Sequence, residues 1–303
     1  MKAYDVAEGR GKLSDVIELS SGLSTNEASD DASGEIDDFV TTDLVEIVNR
    51  RRNLEGLRWR LGSLNRALGP LRKGNFGFVF ARPETGKTTF LASEVTHMAG
   101  QTSQPILWFN NEQEGEEVVL YCYRAALGLS LVELHRDLTG NREKFLDVTK
   151  TNVRIKDSAS ISRTQVEKIV SKIQPSLIVF DQIDKITGFD NDREDLRLGA
   201  IYQWGRELAK AYAPVVGICQ ADGTGEGQRW LTMGNVANAK TAKQAEADWI
   251  LGIGKVNEVG YENLRYMHLS KNKLPGGEDS DPNMRHGRWE TLIDPERARY
   301  VDL

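Results

Sequence analysis

The sequence predicts an α/β fold, a largely parallel sheet flanked by helices with antiparallel strands at its C-terminal edge. Three observations carry this. Short apolar runs near 76–80, 105–110, 176–181, 214–219 and 248–253 alternate with stretches of helical periodicity, as in a sheet built from strand–helix–strand units. The first run, Phe76 to Phe80 broken once by Gly77, passes through Ala81-Arg82-Pro83-Glu84-Thr85-Gly86-Lys87-Thr88 into a helical pattern. That is the context a phosphate-binding P-loop requires. Near the C-terminus YENLRYMHLS, RWETLID and RARYVDL read as antiparallel edge strands.

Composition bounds the reading. At 303 residues, 39% hydrophobic and 28% charged, the chain has apolar residues enough for one α/β domain plus an appendage. No apolar run reaches the ~18 residues of a membrane span, and the N-terminus has no apolar signal core, so no membrane partner is expected. Cys122 and Cys219 stand far apart and read as buried thiols of a reducing compartment, the cytoplasm, or a host's cytoplasm for a phage-encoded chain. The four His residues (97, 135, 268 and 286) are scattered, which argues against a histidine-rich metal site. The net charge is −6, but the first 40 residues hold ten acids and three bases, or −7. The remaining 263 therefore carry +1, leaving basic loops free to meet nucleic-acid phosphate.

Along the chain, residues 1–38 form an acidic tail too poor in aromatics to order itself. It solubilises the chain or engages a partner, a replication protein being the candidate. Residues 39–56 read as a linker helix. Phe39, Val40, Leu44, Ile47 and Val48 fall at helical spacing, Asp43 precedes the main turn, and Arg50-Arg51-Arg52 suits its C-terminal end. A helix of that length is marginal alone and needs something to pack on. Residues 57–303 are the ATPase domain. Its P-loop helix should end on Gly100 as a C-cap. Another helix should open at Ser162 with Gln165 completing a capping box, and a long one should fill 194–212 before Pro214.

The candidate site collects around the loop. Arg82, Pro83, Glu84, Thr85, Gly86, Lys87, Thr88 and Thr89 form the phosphate cradle. Backbone N–H groups at the helix start face the phosphates, Lys87 adds a mobile charge, and the Thr88 hydroxyl can ligate Mg²⁺. Ala81 stands where the general pattern has its first Gly, so the chain must enter the loop in an ordinary conformation. Asp181, ending the apolar run SLIVF, is placed as a second Mg²⁺ contact, and Asp184 is a weaker candidate. Glu112, just past the run ILWFN, can orient or deprotonate the attacking water, whereas Glu114, Glu116 and Glu117 read as helix first-turn acids. Gln220, ending PVVGIC, is either a γ-phosphate sensor or a buried turn residue.

At this point a resemblance appears. GLRWRLGSLNRALGPLRKGNFGFVFARPETGKTTF resembles the approach to the RecA-like motor domain of DnaB-family replicative helicases, whose own loop reads A-R-P-x-x-G-K-[ST]. FNNEQ, LIVFDQIDKI, VVGICQ, ANAKTAKQAEADWILGI and MHLSKNKLPGG are similar to that family's later segments, in order, over roughly residues 55–303. The resemblance implies a RecA-like P-loop NTPase core using ATP and Mg²⁺, with Glu112 as catalytic base. It also implies a homo-oligomeric ring, a hexamer, translocating on single-stranded DNA and unwinding duplex during replication. The family's last motif is Lys-x-Arg, reaching a neighbour's γ-phosphate. Here it is Lys271-Asn272-Lys273, and Lys lacks the planar fork, so Lys273 suffices, Arg265 or Arg285 assists, or hydrolysis is slow. DNA contacts are expected from the Gly-rich 221–243 stretch through Arg229, Lys240 and Lys243, with stacking on Trp230. The 187–197 loop with Arg193 and Arg197 is a weaker candidate. The competing readings are a RecA-type strand-exchange recombinase and a non-unwinding ATPase, such as a helicase loader or regulatory ATPase.

Overall fold

The computed structural model describes residues 42–52 and 56–303. The acidic tail, Phe39 and Val40 lie outside the described residues. The first described element, α1 (Leu44–Arg52), belongs to a unit of its own. Asp43 caps it as the sequence predicts, its Oδ1 accepting from the N–H groups of Val45 at 2.6 Å and Glu46 at 3.1 Å. Leu44 and Val45 are exposed.

The second unit begins at residue 55 and is built on one nine-stranded sheet. Six strands are mutually parallel: β1 (Phe76–Ala81), β2 (Ile106–Asn110), β3 (Val153–Asp157), β4 (Leu177–Asp181), β5 (Val215–Gln220) and β6 (Trp249–Gly254). Three antiparallel strands extend the β6 side: β7 (Leu264–Asn272), β8 (Arg288–Asp294) and β9 (Arg299–Asp302). The spatial order is β3-β2-β4-β5-β1-β6-β7-β8-β9. The chain thus has the RecA-like arrangement expected, with β1 inside the sheet and covered on both faces.

That burial explains why the strands are near-continuously apolar. On β1, Phe76, Phe78 and Phe80 enter one core with Phe109, Phe180 and Tyr202, while Val79 and Ala81 enter the other with Trp108 and Trp249. Gly77 lies on the second face because Trp249 does, for a Cβ there would stand 2.1 Å from the indole. The indole packs edge-on against Trp59 at 5.6 Å, tying the approach segment to the sheet.

The helices that position the site are α3 (Lys87–Ala99), α4 (Gly115–Leu127) and α8 (Glu194–Ala211), accompanied by the short α2 (Gly62–Ala67). α5 (Leu131–His135) and α6 (Leu138–Val148) follow α4, and α7 (Arg163–Ile173) opens on the predicted capping box, Ser162 with Gln165. The residue after α3, Gly100, is not left-handed (φ −68°). Its reason is proximity, since a Cβ would lie 2.8 Å from the Val148 carbonyl. The strand β3 has no counterpart among the apolar runs because its Arg154, Lys156 and Asp157 are exposed on an edge. The expected 221–243 loop is also more ordered than its composition implies. It carries 3₁₀ turns at Gly223–Gly225 and Met233–Asn235 and runs into α9 (Lys240–Glu246). Among the described residues no helix is long and apolar enough to cross a membrane. Cys122 and Cys219 are both buried, and burial pushes each thiol up to about 12.

Candidate nucleotide site

Strand register brings the predicted residues to one end of the sheet. Ala81 pairs with Gln220 on one side and with Ile253 on the other, and Asn110 pairs with Asp181. The loop after β1, the Glu112 turn after β2 and the tips of β4 and β5 therefore share an edge, where open α/β sheets place ligands. Ala81 is still strand, which is why it need not be glycine. The left-handed positions come later, at Glu84 (φ 58°) and Gly86 (φ 101°). Gly86 precedes α3, whose first N–H groups have no intrahelical partner and turn toward the loop.

Lys87 is buried and its Nζ donates to the Arg82 carbonyl at 3.3 Å. Burial lowers its pKa, opposed by the carboxylates of Glu112 and Asp181, so these three charges converge electrostatically. The Thr88 hydroxyl donates to Asp181 Oδ2 at 3.2 Å. Asp181 is fully buried, and burial, with the Glu112 charge second, lifts its carboxyl to about 7. Its Oδ1 is buried with no hydrogen-bond partner among the described residues. A buried carboxylate oxygen lacking a partner is costly, and a cation relieves that cost. Thr88 and Asp181 offer the hard oxygen donors Mg²⁺ prefers while leaving positions for water and phosphate. These residues fit the ion.

Further groups that sequence patterns could not single out support the loop. Gln113 Nε2 donates to Thr88 Oγ1 at 3.3 Å. Asn111 clasps the chain after Asp181, its Oδ1 accepting from Gln182 N at 2.5 Å and its Nδ2 donating to Gln182 O at 2.9 Å. From behind, Arg265 Nε donates to Thr85 O at 2.7 Å and the Tyr300 hydroxyl to Gly86 O at 3.2 Å. Their only sequence signal is polarity within an apolar strand.

Several expectations change here. Arg265, offered as a helper to the finger, is buried against its own P-loop and has no reach to another protomer. Arg285 is exposed and donates to Asn272 O at 3.3 Å, beside the lysine pair. Lys243, expected as a DNA contact, is fully enclosed and pairs with Asp184 at 2.6 Å. Burying a cation requires such a partner, and it takes Lys243 off the surface. Arg229 is exposed and lies over the Tyr261 and Tyr266 rings. Lys240 pairs with Asp222 at 2.5 Å, and Trp230 packs edge-on against Tyr266. Arg193 is exposed and engaged by its neighbour Asp195 at 2.7 Å. Gln220 is half-buried at the tip of β5, its carbonyl accepting from Ala237 N.

Lys271 and Lys273 lie at the other pole. β7 runs antiparallel, so Lys271 faces Ile250 and Lys273 N donates to Asp248 O at the start of β6. From Asp248 to Ile253, the P-loop end, is roughly 17 Å of strand at ~3.3 Å per residue. Burial, then the like charge of Lys273, lowers Lys271 to about 8, and its ammonium donates to the Gln244 carbonyl.

A sequence profile of the AAA domain family matches residues 48–222, more than half of the chain. Replicative DNA helicase DnaB of Pasteurella multocida (strain Pm70) is 25% identical over 206 residues, covering 61% of this chain and 43% of that one. DnaB of Buchnera aphidicola subsp. Acyrthosiphon pisum (strain APS) is 26% identical over 183 residues, 54% of this chain and 39% of its own. The chain belongs to the AAA domain family as a DnaB-like member. It matches less than half the length of those DnaB relatives. Two solved structures share the fold of this DnaB-like chain. One, an isolated ATPase domain, superimposes with a TM-score of 0.69 at 17% identity, covering 86% of this chain and 95% of that one. A DnaB-like replicative helicase studied with primase gives 0.71 at 15% identity, covering 96% and 75%.

Proposed function

We propose that this DnaB-like chain is an ATP-hydrolysing motor that assembles as a ring, a hexamer, and moves along single-stranded DNA to unwind duplex during replication. The observation that carries the reading is the convergence of Lys87, Thr88, Glu112 and Asp181 at one sheet edge, with an unpartnered Asp181 oxygen at its centre. The α3 N–H groups and Lys87 hold the β- and γ-phosphates, which frees Lys87 from its contact with the Arg82 carbonyl. Thr88 and Asp181 would hold Mg²⁺, which supplies charge neutralisation on the phosphate oxygens. Glu112, exposed beyond the tip of β2, takes the proton of the attacking water. Lys271 and Lys273 serve the pocket of the next protomer, because their own lies a sheet's length away. The ordered 221–239 segment, with Arg229 and Lys240 at its surface, tracks the DNA backbone.

A non-unwinding ATPase is the second reading, favoured by Lys273 where a bidentate arginine would stand. Strand separation on a forked duplex with Mg·ATP, run beside Glu112→Gln, tests both. Unwinding by the wild type and none by the variant supports the motor. ATP turnover without strand separation supports the second reading instead.

A further inference from the structure

Lys243 is a long side chain wholly enclosed between α8, α9 and the turn after β4. Its ammonium makes two bonds, to Asp184 Oδ2 at 2.6 Å and to the Ala237 carbonyl at 2.9 Å, and lies 5.3 Å over the Tyr202 ring. The Tyr202 hydroxyl donates to Asp184 Oδ1 at 3.0 Å, so both carboxylate oxygens are taken. The two ends of this cluster lead to different places. Asp184 lies on the 3₁₀ turn Ile183–Lys185, three residues past Asp181 and joined to the Glu112 turn through the Asn111–Gln182 clasp. Ala237 ends the 221–239 segment, and its N–H donates to Gln220 O at 3.0 Å. At the segment's start, Arg82 of the P-loop reaches Ala221 O at 3.0 Å and Glu226 at 2.9 Å. The segment is therefore tied to the nucleotide site at both ends, and the far tie is ionic and buried.

An apolar pair of similar volume would hold α9 against α8 at least as well, since desolvation offsets much of what a buried ion pair gains. What an apolar pair would lack is a defined partner atom for each proton. We propose that Lys243 and Asp184 are positioning residues that transmit the state of the Asp181–Gln220 tips to the 221–239 segment. When Mg·ATP shifts the turn after Asp181, Asp184 moves with it and Lys243 carries the Ala237 carbonyl along. The inference rests on the reading of this site as an ATP site, but it needs no DNA to be tested.

Backbone hydrogen exchange across 221–239, with and without a non-hydrolysable Mg·ATP analogue, is the test, alongside a titration with a fluorescent ATP analogue. In the wild type the analogue should slow exchange in the segment at least tenfold. The charge-neutral double variant Asp184→Asn/Lys243→Met should bind the analogue within threefold of wild type yet lose the nucleotide-dependent difference. A purely structural role would instead change exchange equally in both states. Tyr202→Phe, which deletes one bond to Asp184, should reduce the difference at least threefold, and it stands in if the double variant does not fold. A full response in whichever variant folds overturns the proposal, as does a wild type that binds nucleotide without any change in 221–239. A wild type that binds no nucleotide fails the titration itself and ends the ATP reading and this inference together.

Discussion

The Thr88 hydroxyl donates to one Asp181 oxygen at 3.2 Å, while the other Asp181 oxygen is buried without a partner among the described residues. Asp181→Asn should therefore leave the fold intact and abolish Mg²⁺-dependent turnover by at least about 100-fold, on the order of 3 kcal/mol of transition-state stabilisation. Steady-state phosphate release with a Mg²⁺ titration measures it. Turnover near wild type would remove Asp181 from the metal site.

Glu112 is exposed and touches neither Lys87 nor Asp181 through a hydrogen bond, yet its charge bears on both. Glu112→Gln should bind ATP within a few-fold of wild type and lose roughly 10²–10⁴ in turnover, the range of a general base. A variant that lost affinity in proportion to rate would point to a binding role.

Lys273 is exposed at the far pole of the sheet. Lys273→Ala should leave nucleotide affinity within threefold and lower turnover by at least about tenfold, while Lys273→Arg should retain or raise it. Unchanged turnover in the Ala variant would show that this lysine serves no pocket.

Glu94 sits in the core on α3 and accepts from the N–H groups of Arg60 at 2.5 Å and Leu61 at 3.4 Å. Burial lifts its carboxyl to about 7, against the opposing pull of the Arg60 guanidinium. The native state thus holds this proton more tightly than the unfolded chain does. The associated stability is complete below the unfolded pKa of ~4.3 and is lost as pH rises to about 7. Glu94→Gln keeps an acceptor without the charge. Its stability in urea should gain on the wild type's by on the order of 3 kcal/mol between pH 4 and pH 8. An offset that is the same at both pH values would contradict the assignment.

Gly77→Ala would place a methyl 2.1 Å from the Trp249 ring, inside a strand buried on both faces. We expect a loss of about 3 kcal/mol in chemical denaturation, at the upper end for overpacked cores. Pairing it with Trp249→Leu should restore part of the loss.

The parallel strands were legible in the sequence because burial on both sides leaves a mark that needs no context, and β1, β2, β4, β5 and β6 each appear as one apolar run. β3 escaped because an edge strand keeps Arg154 and Lys156 in solvent. The antiparallel extension was visible through alternation in RWETLID and RARYVDL. Within the site, the P-loop, Asp181 and Glu112 could be placed from strand ends alone. Lys243 could not, because a lysine in a Gly-rich polar stretch has the same composition whether it faces solvent or an aspartate 59 residues earlier in the chain. Arg265 was misplaced for a related reason: nothing local distinguishes a guanidinium that braces its own loop from one free to serve another.

The paired lysines and the P-loop lie at opposite ends of a single sheet. If both serve one reaction, no isolated copy of this chain holds a complete set of groups, and specific activity becomes a function of protein concentration. The rate per chain should then collapse on dilution below the assembly threshold and recover on concentration, a dependence that a self-sufficient hydrolase has no reason to display.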